Sequence, residues 1–161
     1  MRKHMWIALF CLAGLIVIGC QDKSEKATEK KTAGGMTMTE RQAAMEQAAK
    51  DSATNLNDMM MAIYFYQGRN DDRFPPNLEA LDYDNPTESR SMFNNPRNLG
   101  AKPDYVYIYP HDETLTENIL VYENYVTWPE LGLYYLIVDM RVQHTVHEAA
   151  FKKLLAESQS E

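Results

Sequence analysis

A short segment of the chain, DMRVQHTVHE, contains the residue types that bind zinc in many proteins. Asp139 offers a carboxylate, and His144 and His147, three residues apart, offer imidazoles. The surrounding pattern predicts that a strand ends near His144 and that a helix begins near His147, so these side chains need not converge. Glu148 is expected to be engaged in the helix cap. The segment therefore has two interpretations. Either Asp139, His144 and His147 bind a metal ion, or the two histidines lie at the surface and bind none.

No other residue pattern indicates catalysis. No serine or threonine lies in a nucleophile elbow, and no glycine-rich loop is suited to a phosphate. The formal net charge of −7 argues against nucleic acid as a partner, because nucleic-acid binding needs a basic face. We therefore predict a protein that is not an enzyme and needs no cofactor.

The amino-terminal residues predict export. Basic residues at positions 2–4 precede fifteen uncharged residues, 5–19, which are short for a membrane-spanning helix but suit a secretory signal. The apolar run closes on Gly19 and Cys20, a pattern that resembles the bacterial lipoprotein signal. The resemblance implies that residues 1–19 are removed and that Cys20 is lipidated. The alternatives are an uncleaved anchor helix and an ordinary secretory signal.

Cleavage before Cys20 would leave no second cysteine for a disulfide, because Cys11 would leave with the signal. Residues 20–38 would begin with the lipidated cysteine and continue as a polar segment, whose composition predicts a flexible tether. The globular domain is expected over 39–161. We expect a cell-envelope protein held to a membrane by its lipid, and Gln21 favours the outer over the inner membrane.

The remaining pattern predicts an α+β domain. Apolar residues recur at helical spacing over 39–67, with Thr39 as the cap and Gly68 as the stop. A second, short helix is expected after a capping box of Thr145 and Glu148. Between the helices, runs rich in β-branched and aromatic residues predict antiparallel strands at 104–109, 118–123, 132–139 and 141–145. The expected fold is a long helix packed on an antiparallel sheet of three or four strands, followed by the short helix.

The first predicted strand, DYVYIY, places three tyrosines on one face: Tyr105, Tyr107 and Tyr109. This tyrosine face is either an aromatic platform for a ligand or the solvent side of the sheet, with its hydroxyls in water.

Three stretches of the chain resemble the globular domain of prepilin-like proteins, in particular the type II secretion pseudopilin-like proteins. The stretches are FPPNLEAL, YVYIYP and ILVYENYVTWPELGLYYLIVDMRVQHT. In that family a Tyr-Glu strand precedes a strand that ends in an aspartate, and Tyr122, Glu123 and Asp139 match these positions. The resemblance implies a pilin-like domain that acts as a scaffold or assembly component of a secretion or surface apparatus, with envelope or secretion proteins as partners.

Two departures from the family bear on this function. A lipoprotein signal replaces the prepilin peptidase site, so polymerisation as a pilus subunit is not expected. Met140 stands where the family has a glycine that can adopt a positive φ, so a different turn is expected between the last two strands. The second function hypothesis is a periplasmic lipoprotein that binds a ligand through the tyrosine face, or a metal through the segment from Asp139 to Glu148.

Overall fold

The first element is a long helix. The computed structural model describes residues 35–83, 92–98 and 100–160, and helix α1 covers Met38–Gln67. Its cap is Thr37 and not the predicted Thr39. The Thr37 hydroxyl accepts the N–H of Glu40 at 3.2 Å, and the Glu40 carboxylate accepts the N–H of Thr37 at 2.7 Å. This Thr-x-x-Glu box also places a negative charge at the positive end of the helix.

The end of α1 is as predicted, because the N–H of Gly68 reaches back to the Tyr64 carbonyl at 3.1 Å. Asp71 and Asp72 then turn the chain with φ values of 54° and 60°. Aspartate tolerates this left-handed conformation better than most residues. A 3₁₀ helix follows at Leu78–Tyr83.

Four antiparallel strands form one sheet in chain order. All four lie within the predicted runs: β1 is Tyr105–Tyr107, β2 Ile119–Glu123, β3 Leu133–Ile137 and β4 Arg141–Thr145. The register of β2 against β3 shifts between Ile119 and Val121. Because of this irregularity, Leu120 and Val121 both belong to the core on the α1 side, whereas Ile119 packs on the other side.

The turn between β3 and β4 uses the backbone conformation that a glycine would favour. Met140 adopts a φ of 55°, and its N–H donates to the Ile137 carbonyl at 2.9 Å. The expectation of a different turn geometry is therefore wrong. The Met140 side chain packs against the main core, and this packing offsets the steric cost of the left-handed backbone.

Helices cover both faces of the sheet. The main core lies between α1 and one face, and its buried residues include Leu56, Met59, Ile63, Val121 and Leu136. On the opposite face, Phe151 packs against Ile119 and Leu133, and its ring lies 5.6–5.8 Å from the rings of Tyr122, Trp128 and Tyr135. The predicted α+β arrangement of a long helix, a sheet and a short helix is confirmed.

Phe151 belongs to helix α2, Glu148–Gln159. The predicted capping box at its start is wrong, because Thr145 is still part of β4, where it pairs with Leu133. The Thr145 hydroxyl instead accepts the N–H of His147 at 3.1 Å. Within the described residues, no helix is both long enough and apolar enough to cross a bilayer.

The tyrosine face of β1 is turned toward α1. Tyr105 is buried, and its hydroxyl lies 2.9 Å from the Ser52 hydroxyl. Tyr107 donates to the Pro75 carbonyl at 2.7 Å, whereas Tyr109 is exposed. The solvent-side interpretation is therefore wrong for Tyr105 and Tyr107, because their hydroxyls bind protein partners.

Candidate functional site

A carboxylate lies at the centre of the domain. Glu123 ends β2 two residues after Val121, so its side chain points to the same face, toward α1. None of its surface is exposed. A buried carboxylate is stable only when it is hydrogen-bonded and its charge is balanced, and both conditions are met here.

Five groups from separate parts of the chain hold this carboxylate. The N–H of Tyr134 donates to Glu123 at 2.6 Å and the Tyr125 hydroxyl at 3.1 Å. The Asn95 amide lies at 3.4 Å and the Arg97 guanidinium at 3.5 Å, and the Ser52 hydroxyl also donates. We call these six residues the Glu123 cluster.

Arg97 balances the charge. Its side chain is only 7% exposed, and its second guanidinium nitrogen donates to the Gly132 carbonyl at 2.5 Å. The guanidinium carbon lies 5.5 Å from the ring centre of Tyr125 and 5.8 Å from that of Tyr134, within the range of cation–π attraction. In the part of the chain that the structure describes, no buried side-chain nitrogen or oxygen lacks a hydrogen-bond partner.

Two phenols beside the carboxylate are kept protonated. Burial, more than any other effect, raises the pKa of Tyr105 to about 12. Burial also raises the pKa of Tyr125, and the negative charge of Glu123 raises it further. Both hydroxyls therefore remain neutral donors around neutral pH, as the cluster requires.

The Glu123 cluster connects several elements in the interior of the domain. It links α1, the 95–97 loop, β2 and the start of β3, and Ser52 and Glu123 are both completely buried. No histidine or cysteine belongs to the cluster, and a substrate would have to displace the core to reach the Ser52 hydroxyl. We infer that the cluster fixes α1 on the sheet in one register. Register selection is the best-attested role of buried polar groups.

The three residues matched to the prepilin-like motif lie in different surroundings. Glu123 faces α1, whereas Tyr122 faces α2, where its ring packs against Phe151. Asp139 lies in the β3–β4 turn, and its carboxylate pairs with Arg141 at 2.8 Å. The motif therefore does not form one site.

The residues of the predicted metal site also have other partners. Asp139 pairs with Arg141, His144 Nε2 lies 2.7 Å from the Leu131 carbonyl, and His147 immediately precedes α2. Among the described residues, no group of three or more His, Cys, Asp or Glu side chains is arranged to hold a metal ion. The structure does not assemble the predicted site, because β4 and α2 direct its members differently. Cys20, the predicted lipidation site, lies outside the described residues.

A groove of about 420 Å³ opens beside the tyrosine face. Its walls come from the 3₁₀ helix, from the loop around residue 93 and from β1, and include Leu78, Glu79, Phe93, Tyr105, Tyr107 and Tyr109. Burial is the main cause of the raised pKa of Tyr107. We call this feature the tyrosine groove, and its volume falls within the range of small-molecule sites.

The outer side of α1 carries three large exposed side chains, Met61, Tyr64 and Phe65, which are 46%, 64% and 57% exposed. Their spacing of three and four residues places them on one face of the helix, opposite the face of Leu56, Met59 and Ile63 that packs on the sheet. We call this surface the α1 outer patch.

No protein-family model matches the chain, and neither a curated protein nor a solved structure is significantly similar to it. The resemblance to prepilin-like proteins therefore stays a prediction that rests on the short stretches quoted above.

No sequence motif indicated a role for five members of the Glu123 cluster: Ser52, Asn95, Arg97, Tyr125 and Tyr134. A signal for part of the cluster was present. Ser52 occupies a core-facing position of α1, and Glu123 occupies a core-facing position of β2. A polar residue on each of two apolar faces predicts that the two meet, because neither is stable there alone.

Proposed function

We propose that this chain is a non-enzymatic, lipid-anchored protein of the cell envelope, and that its domain is a scaffold or assembly component of a secretion or surface apparatus. The observation that carries the proposal is the α1 outer patch. Three neighbouring large side chains, Met61, Tyr64 and Phe65, are exposed on the side of α1 opposite the face that packs on the sheet. Surfaces of this kind mark sites of contact between proteins.

The polar interior also supports a binding role over a catalytic one. The hydroxyl and carboxylate that the fold brings together, Ser52 and Glu123, are completely buried. An exposed apolar surface on a folded domain suits a scaffold, since a partner then meets a surface that is already formed.

The lipid anchor is tested by intact-mass measurement of the protein purified from its own membranes. We expect a chain that starts at Cys20 and carries a diacylglycerol-sized addition, and we expect the Cys20→Ser variant to lack it. An unmodified full-length chain in both samples would contradict the anchor and favour a membrane helix over residues 5–19.

The scaffold role is tested with a variant that replaces Met61, Tyr64 and Phe65 by serine. Because these side chains are exposed, we expect little change in the melting temperature. On native gels of detergent-extracted envelopes, the unaltered protein should migrate in a complex that contains a component of a secretion or surface apparatus. The variant should leave that complex.

The matched control replaces two exposed lysines of α2, Lys152 and Lys153, by serine as well. Their side chains are 68% and 79% exposed. This control should remain in the complex. A patch variant that folds normally and stays in the complex would refute the use of the α1 outer patch.

A second candidate function, ligand binding, is favoured by the tyrosine groove. The groove is concave and lined by aromatic rings, as the tyrosine-platform hypothesis requires. It is tested by screening small molecules for chemical-shift changes at the rings of Tyr107 and Tyr109. Changes confined to other tyrosines would argue against it.

A further inference from the structure

We propose that the tyrosine groove binds a small organic cation of the alkylammonium type. This inference rests on the second candidate function, that of a ligand site in this groove. It goes further by naming the chemical class of the ligand.

The groove offers the cation aromatic rings. Four aromatic residues line it: Phe93, Tyr105, Tyr107 and Tyr109. Tyr105 is buried, and the Tyr107 hydroxyl is already bound to the Pro75 carbonyl, so Tyr107 presents mainly ring carbon to a ligand. Aromatic rings attract alkylammonium groups through their negative faces, and recognition of quaternary ammonium in aromatic cages works in this way.

The charges around the groove have the matching sign. Among the described residues, its lining includes two carboxylates, Glu79 and Asp104, and no lysine or arginine. Asp104 is balanced by Lys102 at 2.7 Å, so the groove owes its negative character mainly to Glu79, which is exposed. The whole chain is also acidic, which favours the approach of cations over anions.

The same features disfavour other ligand classes. An anion would meet Glu79, and none of the described residues of the groove wall is basic. A neutral apolar ligand would bury the rings but gain nothing from the carboxylate. The Asn77 side-chain oxygen, which could serve a sugar hydroxyl, already accepts the N–H of Ala80 at 3.0 Å.

The test compares choline with its uncharged carbon isostere, dimethylbutanol, which has the same shape. Both are titrated into the full chain in uncharged detergent micelles, with ring-labelled tyrosine as the reporter. We expect choline to shift the signals of Tyr107 and Tyr109 and to bind about two- to thirty-fold more tightly than the isostere.

Three variants separate the contribution of the Glu79 charge to binding from that of the Tyr109 ring. Glu79→Gln should weaken choline binding about two- to five-fold and leave the isostere unchanged. Tyr109→Leu keeps apolar bulk but removes a ring, so it should weaken choline more than the isostere. Glu130→Gln alters an exposed carboxylate outside the groove and should change neither.

Equal affinity for choline and the isostere would overturn the cation assignment while leaving a ligand site in the groove. Absence of binding by both would overturn the cation assignment as well. The ligand-site function itself would then fail only if the small-molecule screen also gave no shift at Tyr107 and Tyr109.

Discussion

Replacement of Glu123 by glutamine should destabilise the domain severely, although the two side chains have almost the same shape. The amide cannot balance Arg97, whose side chain is 7% exposed, and its NH₂ group faces donors such as the Tyr134 N–H. Removing one partner of a buried ion pair typically costs about 3–5 kcal/mol. We expect a loss of about this size, which is a large share of the roughly 5–15 kcal/mol that keeps a domain folded.

A double-mutant cycle with Arg97→Met isolates the reason for the loss. If the uncompensated charge of Arg97 causes most of it, removing that charge should relieve part of the damage. The double variant should then lose less free energy of unfolding than the sum of the two single losses, by about 1–3 kcal/mol. Urea unfolding followed by circular dichroism, with Trp128 fluorescence as a second probe, measures all four proteins.

The surface pair of Glu117 and Arg141 is the matched control. Their charged groups lie 2.6 Å apart, but the side chains are 72% and 51% exposed. Glu117→Gln should therefore cost less than about 1 kcal/mol. A Glu123→Gln loss as small as this control, or additive losses in the cycle, would refute the argument that the cluster depends on a buried charge pair.

Two further predictions concern the β3–β4 turn and the Asp104 carboxylate. Met140→Ala and Met140→Gly lose the same packing, but only glycine adopts the positive φ of this position without a steric cost. Met140→Gly should therefore be the more stable of the two by about 1 kcal/mol in urea unfolding, and equal stability would contradict the steric cost. Desolvation by burial would by itself raise the pKa of Asp104, but hydrogen bonds from Lys102, from Asn98 and from the Asn95 N–H outweigh it and lower the pKa below its ordinary 3.8. The Asp104 carboxylate therefore stabilises the fold above pH 3.8, and this stabilisation is lost as the pH falls through its lower folded-state pKa. The difference in stability between the unaltered protein and Asp104→Asn should narrow below about pH 4 in thermal melts. A difference that widens in acid would contradict the direction of the shift.

The sequence was sufficient for the elements that rest on local patterns. The apolar period of α1 predicted its span to within one residue, and β-branched runs located all four strands. Both predicted helix caps were wrong, and near the start of α1 two threonines, Thr37 and Thr39, fit the local motif. Which one is used depends on where the helix begins, and Thr145 was still held in β4 by tertiary pairing.

The interior of the candidate site depends on contacts between distant residues. Ser52 and Glu123 are 71 positions apart, and Arg97 reaches them from a loop that has no periodic pattern. The tyrosine face had two interpretations from sequence, because alternation predicts which residues share a face but not which helix covers it. The contacts of Tyr105 with Ser52 and of Tyr107 with Pro75 exclude the solvent-side interpretation for these two residues, and the ligand platform stays a prediction.

Because a chain is synthesised from its amino end, α1 is the first element of the domain to be made. It packs mainly on β3 and β4, which are made last among the strands, and most of the stability of a helix in a protein comes from the packing of its apolar face. The inward face of α1 and the acceptor for Ser52 therefore come together only after most of the domain has been synthesised. A chain that stops before β3 would leave the inward face of α1 exposed to water and Glu123 without the hydrogen bond from the Tyr134 N–H. α1 thus becomes fixed in place only once the last strands are present, and this delay would suit the export of an unfolded chain that the proposed lipid anchor needs.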